Sequence, residues 1–153
     1  MGSSKSKNSF CLIRRSWVAS TPEEAVRQSL LQRMLGLLGY PRGYIAVERG
    51  LCSLESLGQP VSPFLFDPNR RIDVLCFYPN REGLIKPLLL VECKALHLNF
   101  EAENQLFGYN ARVGAPFLCL ANEAEIKMLW QERGSIKSIP FLPSYAQLIE
   151  TLC

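Results

Sequence analysis

Two apolar runs lying close together constrain this chain more than any other feature: Arg71-Ile72-Asp73-Val74-Leu75-Cys76-Phe77-Tyr78 and Leu88-Leu89-Leu90-Val91-Glu92-Cys93-Lys94. Runs this short and this continuously hydrophobic suit central strands of a sheet that is covered on both faces. Pro79-Asn80-Arg81-Glu82-Gly83 between them is turn chemistry, so the two strands are expected to pair as a hairpin. Each strand nevertheless carries an acid, Asp73 inside the first and Glu92 near the end of the second. An unpaired ionised carboxylate in a core costs several kcal/mol, so both acids need compensation.

The rest of the chain supplies the cover. Thr21-Pro22-Glu23-Glu24 reads as a helix start, with Thr21 as N-cap, Pro22 at the first position and Glu24 closing a capping box. Val26, Leu30, Met34, Leu37 and Leu38 follow at helical spacing until Gly39-Tyr40-Pro41 stops the helix. Residues 44–48 predict a first strand, and 49–70, with two glycines and three prolines, a loop. Residues 99–112 predict a second helix with Ala102, Leu106, Tyr109 and Val113 on one side, ended by Gly114-Ala115-Pro116. Residues 117–121 read as a fourth strand, 126–130 as a strand or a helical turn, and Ser144 as the N-cap of a last helix. Residues 1–19 read as a flexible tail and 20–153 as one α/β domain of order α-β-β-β-α-β with a C-terminal addition.

Composition removes several classes. With 153 residues, 48% of them hydrophobic, the chain can bury one proper core. A net charge of +3 is compatible with nucleic acid without demonstrating it. Six cysteines without a CxxC pair predict buried thiols, a reducing compartment and cytoplasmic location. His97 is the sole histidine, which excludes a His-rich zinc site, and the lack of a Gly-Lys dipeptide excludes a Walker A loop. No run approaches the roughly 20 apolar residues of a membrane span. Gly2 and Ser6 fit a myristoylation pattern, but a polar tail explains them and one acyl chain anchors only marginally, so stable membrane association is not expected.

Strand alternation turns Glu92 and Lys94 to one face and Val91 and Cys93 to the other, so a carboxylate and an ammonium converge where Asp73 can join them. Two carboxylates with a backbone carbonyl and water suit Mg²⁺ or Mn²⁺. Such a metal lowers the pKa of a bound water and stabilises charge on a phosphate, while Lys94 orients or deprotonates the nucleophile. The chemistry is phosphodiester hydrolysis. A buried Asp/Glu/Lys ion-pair network is the competing explanation of the same residues.

Asp73, then eighteen residues, then Glu92-Cys93-Lys94 resembles the PD-(D/E)xK nuclease superfamily. More narrowly, Arg71-Ile72-Asp73-Val74, Leu90-Val91-Glu92-Cys93-Lys94-Ala95, Gln105-Leu106-Phe107-Gly108-Tyr109-Asn110 and Pro116-Phe117-Leu118-Cys119-Leu120-Ala121-Asn122 resemble the N-terminal nuclease domain of type I restriction enzyme R subunits and their stand-alone relatives. The similarity runs over about residues 21–130. It implies a restriction-endonuclease-like αβββαβ core, a mixed central sheet flanked by helices, with a short C-terminal helix. It also implies that Asp73 and Glu92 bind metal, that the Cys93 carbonyl adds a ligand, and that Lys94 serves catalysis. Gln105 and Tyr109, four apart on one helix face, resemble the QxxxY motif that supports such sites and approaches DNA.

Glu24 has two readings, the capping box and a glutamate of the first helix near the metal; Glu48 is a weaker site candidate. Ile72 stands where the superfamily has its proline, and Ala121-Asn122-Glu123 where relatives often carry Thr-Asn-Gly. The expectation is a Mg²⁺- or Mn²⁺-dependent nuclease acting on DNA, with Arg71, Arg112 and Lys86 as candidate phosphate contacts, alongside Arg70 and Lys127. One site cuts one strand, so double-strand cleavage would need a homodimer or a larger complex. With no motor or specificity domain, sequence-specific restriction is not expected of this polypeptide alone. The alternative is a nucleic-acid-binding or assembly module that keeps the fold without turnover.

Overall fold

The computed structural model describes residues 8–11, 13, 16–19, 21–47 and 72–152. The first elements are two short strands, β1 (Asn8–Cys11) and β2 (Ser16–Ala19), paired antiparallel as a sheet of their own. Helix α1 (Pro22–Gly36) follows, capped by Thr21, whose Oγ1 accepts a 3.1 Å hydrogen bond from the Glu24 N–H. Gly39, at φ +69°, turns the chain out of the helix, and the Tyr40 N–H reaches back to the Met34 carbonyl.

The remaining strands are β3 (Ile45–Val47), β4 (Val74–Pro79), β5 (Ile85–Cys93), β6 (Phe117–Ala121), β7 (Ile126–Glu132) and β8 (Ser135–Ile139). Helix α2 (Phe100–Val113) lies between β5 and β6, and α3 (Tyr145–Leu152) closes the described chain. The six strands form one mixed sheet in the order β3-β4-β5-β6-β7-β8. Only β5 and β6 run parallel, and the crossover that a parallel pair requires is α2. The predicted hairpin of β4 and β5 is present, its turn closed by Asn80, whose Oδ1 accepts from the N–H groups of Glu82 and Leu84.

Alternation divides the sheet cleanly. Val74, Cys76, Val91, Cys93, Cys119 and Ala121 face α1 and α3, packing with Leu30, Leu31, Met34 and Leu148. Leu75, Phe77, Leu90, Leu118, Leu120 and Leu129 face α2, packing with Ala102 and Leu106. The architecture is a mixed α/β sheet flanked by helices, as the apolar runs of β4 and β5 predicted. Cys76, Cys93 and Cys119 are buried thiols without a disulfide. Burial pushes the Cys119 thiol up to about 12 and raises Cys76 as well, so both are inert.

Three expectations change. Part of the tail read as flexible, residues 8–11 and 16–19, is a hairpin whose Cys11 is fully buried. Four-residue strands carry too little hydropathy pattern to be seen in sequence. The first core strand begins after a 3₁₀ turn (Arg42–Tyr44), while Glu48 and the loop of 49–70 lie outside the described residues.

The C-terminal part contains a hairpin that hydropathy did not indicate. Residues 126–130 are strand, and β7 runs on to Glu132, opposite Ser135 of β8. Arg133 (φ 51°) and Gly134 (φ 78°) form the two-residue loop, both in the left-handed region that suits strand twist. The exposed sequence of β8 has no apolar periodicity to betray it. Ser144 caps α3 in a reciprocal box with Gln147, as its sequence predicted in part. Tyr40 then fastens this region to the core: its hydroxyl donates to the Pro143 carbonyl at 2.9 Å and its ring meets Tyr145 edge-on at 5.6 Å.

Candidate active site

The antiparallel register pairs Val74 with Val91, so the next step along the ladder sets Asp73 across from Glu92. Asp73 sits one residue before β4 rather than inside it. Its Oδ2 accepts a 2.8 Å hydrogen bond from the Cys93 N–H, and its Oδ1 lies 3.5 Å from Nη2 of Arg27 on α1. The first strand's acid is thus held by the second strand's backbone and by a helix on the opposite face.

Glu92 and Lys94 share a face as alternation requires, with Lys94 Nζ 3.3 Å from Glu92 Oε1. The Lys94 N–H donates to the Ala121 carbonyl, which continues the β5–β6 ladder beyond the strand end and fixes the lysine backbone. Burial first, then the charge of Asp73, pushes the Glu92 carboxyl up to about 7 against the opposing effect of Lys94. Two carboxylates this close disfavour joint ionisation unless a cation stands between them. The thiol of Cys93 points to the other face, and burial raises it far out of the reactive range.

Helix α2 brings the next residues. Lys94 Nζ donates to Gln105 Oε1 at 3.4 Å, so the ammonium is held between Glu92 and Gln105. Tyr109, one turn further on, packs half-buried against the cluster beneath α2. The helix is fixed at both ends. Asn99 Oδ1 accepts from the Ala102 N–H at the start, and Gly114 takes φ +75° at the end. Asn110 then ties α2 to the approach of β6, donating to the Ala115 carbonyl and accepting from the Ala115 N–H, each at 2.8 Å.

Glu24 does more than cap. Its N–H completes the Thr21 cap, while its carboxylate is buried, 2.8 Å from Arg27 Nη2 and accepting from Gln28 Nε2 at 2.8 Å. Arg27 is the residue that sequence reasoning missed. Its signal was a charge three residues after Glu24, on the stripe of α1 that also buries Leu30, Leu31 and Met34.

Among the described residues no group of three or more His, Cys, Asp or Glu side chains is arranged to hold a metal. The carboxylates gathered here are the pair Asp73 and Glu92. That pair, whose mutual repulsion remains despite Arg27 and Lys94 beside it, has the chemistry to fit a hard divalent ion that takes its other ligands from main-chain carbonyl and water.

The basic candidates are dispersed. Lys86 is exposed six residues before Glu92 on β5, roughly 20 Å along an extended strand, and Arg112 is exposed in the last turn of α2. Arg70 and Arg71 lie outside the described residues. Lys127 pairs with Glu103. His97 is exposed in the loop after Lys94, where Asn122 donates to the Leu96 carbonyl and accepts from the N–H groups of Ala124 and Glu125. The turn at Ala121-Asn122-Glu123 therefore has an architectural role of its own. A cleft of about 610 Å³ opens beside α1 between Ser29, Arg33, Asn122 and Phe141, and Asp73, Glu92 and Lys94 do not line it.

No helix among the described residues is long and apolar enough to cross a membrane. No curated protein and no solved structure gives a significant match to the chain. A family model described as the type I restriction enzyme R protein N terminus matches residues 22–143, from the first turn of α1 to the approach of α3. With Asp73, Glu92, Lys94 and Gln105 brought together inside that span, the chain belongs to the type I restriction enzyme R protein N-terminal family, which gives it a nuclease-related role.

Proposed function

We propose that this domain is a metal-dependent nuclease that hydrolyses phosphodiester bonds in DNA, with Asp73 and Glu92 as metal ligands and Lys94 as the group that handles the nucleophile. The observation that carries this reading is the position of Glu92, set across the ladder from Asp73, pushed up to about 7, and 3.3 Å from an ammonium. A structural ion pair would settle with one acid and one base. Here each acid has a basic neighbour, Asp73 the guanidinium of Arg27 and Glu92 the ammonium of Lys94, yet the two carboxylates still crowd each other enough to push Glu92 up, an arrangement that a divalent cation between them would relieve.

Mg²⁺ or Mn²⁺ held by Asp73, Glu92 and the Cys93 carbonyl would acidify a bound water and stabilise charge developing on the phosphate. The protein residues supply position. The Cys93 N–H fixes the rotamer of Asp73. Lys94 spends two of its three N–H donors on Glu92 and Gln105, and its third donor is the one available to a water or a phosphate oxygen. Gln105 acts by aiming Lys94, and Tyr109 lies further along the same helix on the way to substrate. The buried, unbridged Cys76, Cys93 and Cys119 fit a reducing, cytoplasmic setting.

The test is cleavage of single- and double-stranded DNA and RNA in Mg²⁺, Mn²⁺ or EDTA, natural chain against Lys94→Ala. Metal-dependent cutting of DNA that disappears in the variant is the expected result. Absence of cutting under every condition, with nucleic-acid binding unchanged by the substitution, would instead support a binding or assembly module.

A further inference from the structure

Arg27 and Glu24 are both buried, 3% and 4% exposed, on the side of α1 that faces the strand ends. Arg27 Nη2 stands 2.8 Å from Glu24 Oε2 and 3.5 Å from Asp73 Oδ1. A guanidinium beside Asp73 holds that carboxylate in place, yet a fixed positive charge next to a metal ligand also repels an arriving divalent cation. Arginine does not deprotonate, so the repulsion can be cancelled only by a fixed anion. Glu24 is that anion, closer to Arg27 than Asp73 is. Both of its oxygens already have donors, Oε1 from Gln28 and Oε2 from Arg27.

We infer that Glu24 and Arg27 are a positioning pair for the metal centre: Arg27 clamps Asp73 from α1, and Glu24 acts through Arg27 by balancing its charge instead of ligating the metal. The inference rests on the reading of Asp73 and Glu92 as metal ligands given above. It also assigns the buried face of α1 a role in the site, because the pair ties that helix to the ends of β4 and β5.

The experiment is Mn²⁺ binding by isothermal titration calorimetry to the whole chain without nucleic acid, comparing the natural protein, Glu24→Gln and the double variant Glu24→Gln/Arg27→Met. Glu24→Gln keeps size and the contact with Gln28 but leaves the guanidinium unbalanced. Its Mn²⁺ dissociation constant is expected to rise about tenfold, which corresponds to ~1.4 kcal/mol. Removing the arginine as well should return affinity to within about threefold of natural, the coupling signature of a charge pair. DNA cleavage by the metal-saturated double variant should stay reduced, since Asp73 has lost its clamp.

A double variant as weak as Glu24→Gln would overturn the inference by making Glu24 a ligand. Natural affinity in Glu24→Gln would overturn it by making the pair merely structural. Should Glu24→Gln not fold, the double variant keeps the inference falsifiable: near-natural Mn²⁺ affinity with reduced cleavage by the metal-saturated protein supports it, and weak affinity or natural cleavage refutes it. No Mn²⁺ binding by the natural chain would remove the metal reading of Asp73 and Glu92, and this inference with it.

Discussion

The carboxylate of Asp73 accepts a 2.8 Å hydrogen bond from the N–H of Cys93, the residue that follows Glu92 on the neighbouring strand. One catalytic candidate is thereby built into the backbone that presents the other. The two acids consequently respond to substitution in opposite ways.

Asp73→Ala removes the acceptor of the Cys93 N–H and the carboxylate that faces Arg27, and should destabilise the protein by about 2–4 kcal/mol. Glu92→Gln removes a crowded charge and should leave the metal-free protein as stable as the natural one, or more so, at pH 8. Urea denaturation of both variants in EDTA measures the contrast, and equal losses would contradict it.

Stability in EDTA should fall as pH rises from about 5 to 8. The folded Glu92 keeps its proton up to about 7, whereas the unfolded carboxyl releases it near its ordinary 4.5. The folded state therefore binds more protons in that window, which makes the slope of unfolding free energy with pH negative. The stability is fully present below about 4.5 and lost through 7, on the order of 3 kcal/mol in all. Glu92→Gln should flatten the slope, and Mn²⁺ should oppose it; a slope unchanged by the substitution would contradict the assignment.

Gln105 is exposed and accepts from Lys94, so its role is separable from folding. Gln105→Ala should cost less than about 0.5 kcal/mol of stability. It should lower kcat by about tenfold to a hundredfold because the ammonium loses an acceptor that aims it. Steady-state cleavage kinetics with a parallel melting curve distinguish this from a fold defect.

Asn110→Ala breaks both hydrogen bonds to Ala115 at the junction of α2 and β6. A loss of about 1–3 kcal/mol is expected, with Mn²⁺ affinity unchanged, since neither metal ligand touches Asn110. Calorimetric melting and metal titration on the same sample test the two halves of that statement.

Tyr40→Phe deletes the 2.9 Å hydrogen bond to Pro143 while keeping the ring against Tyr145. About 1 kcal/mol should be lost. Amide exchange in α3 should quicken more than in β5, because Tyr40 anchors the C-terminal helix to the core.

By itself the sequence determined the two central strands, their hairpin, both flanking helices, and the convergence of Glu92 with Lys94. All of these follow from local rules: apolar runs, turn residues, caps, and the period of two along a strand. The parallel pairing of β5 with β6, the exposed strand β8, and the burial of Glu24 and Arg27 were decided only in three dimensions. Exposed strands carry no hydropathy signal, and a salt bridge between α1 and Asp73 joins residues 46 apart in sequence, so no local pattern could announce it. Glu24 shows the limit most clearly: its place at the third residue of a helix was legible as a cap and Arg27 stands only three residues on, but only the packing of that helix face against the sheet buried the pair and set Arg27 beside Asp73.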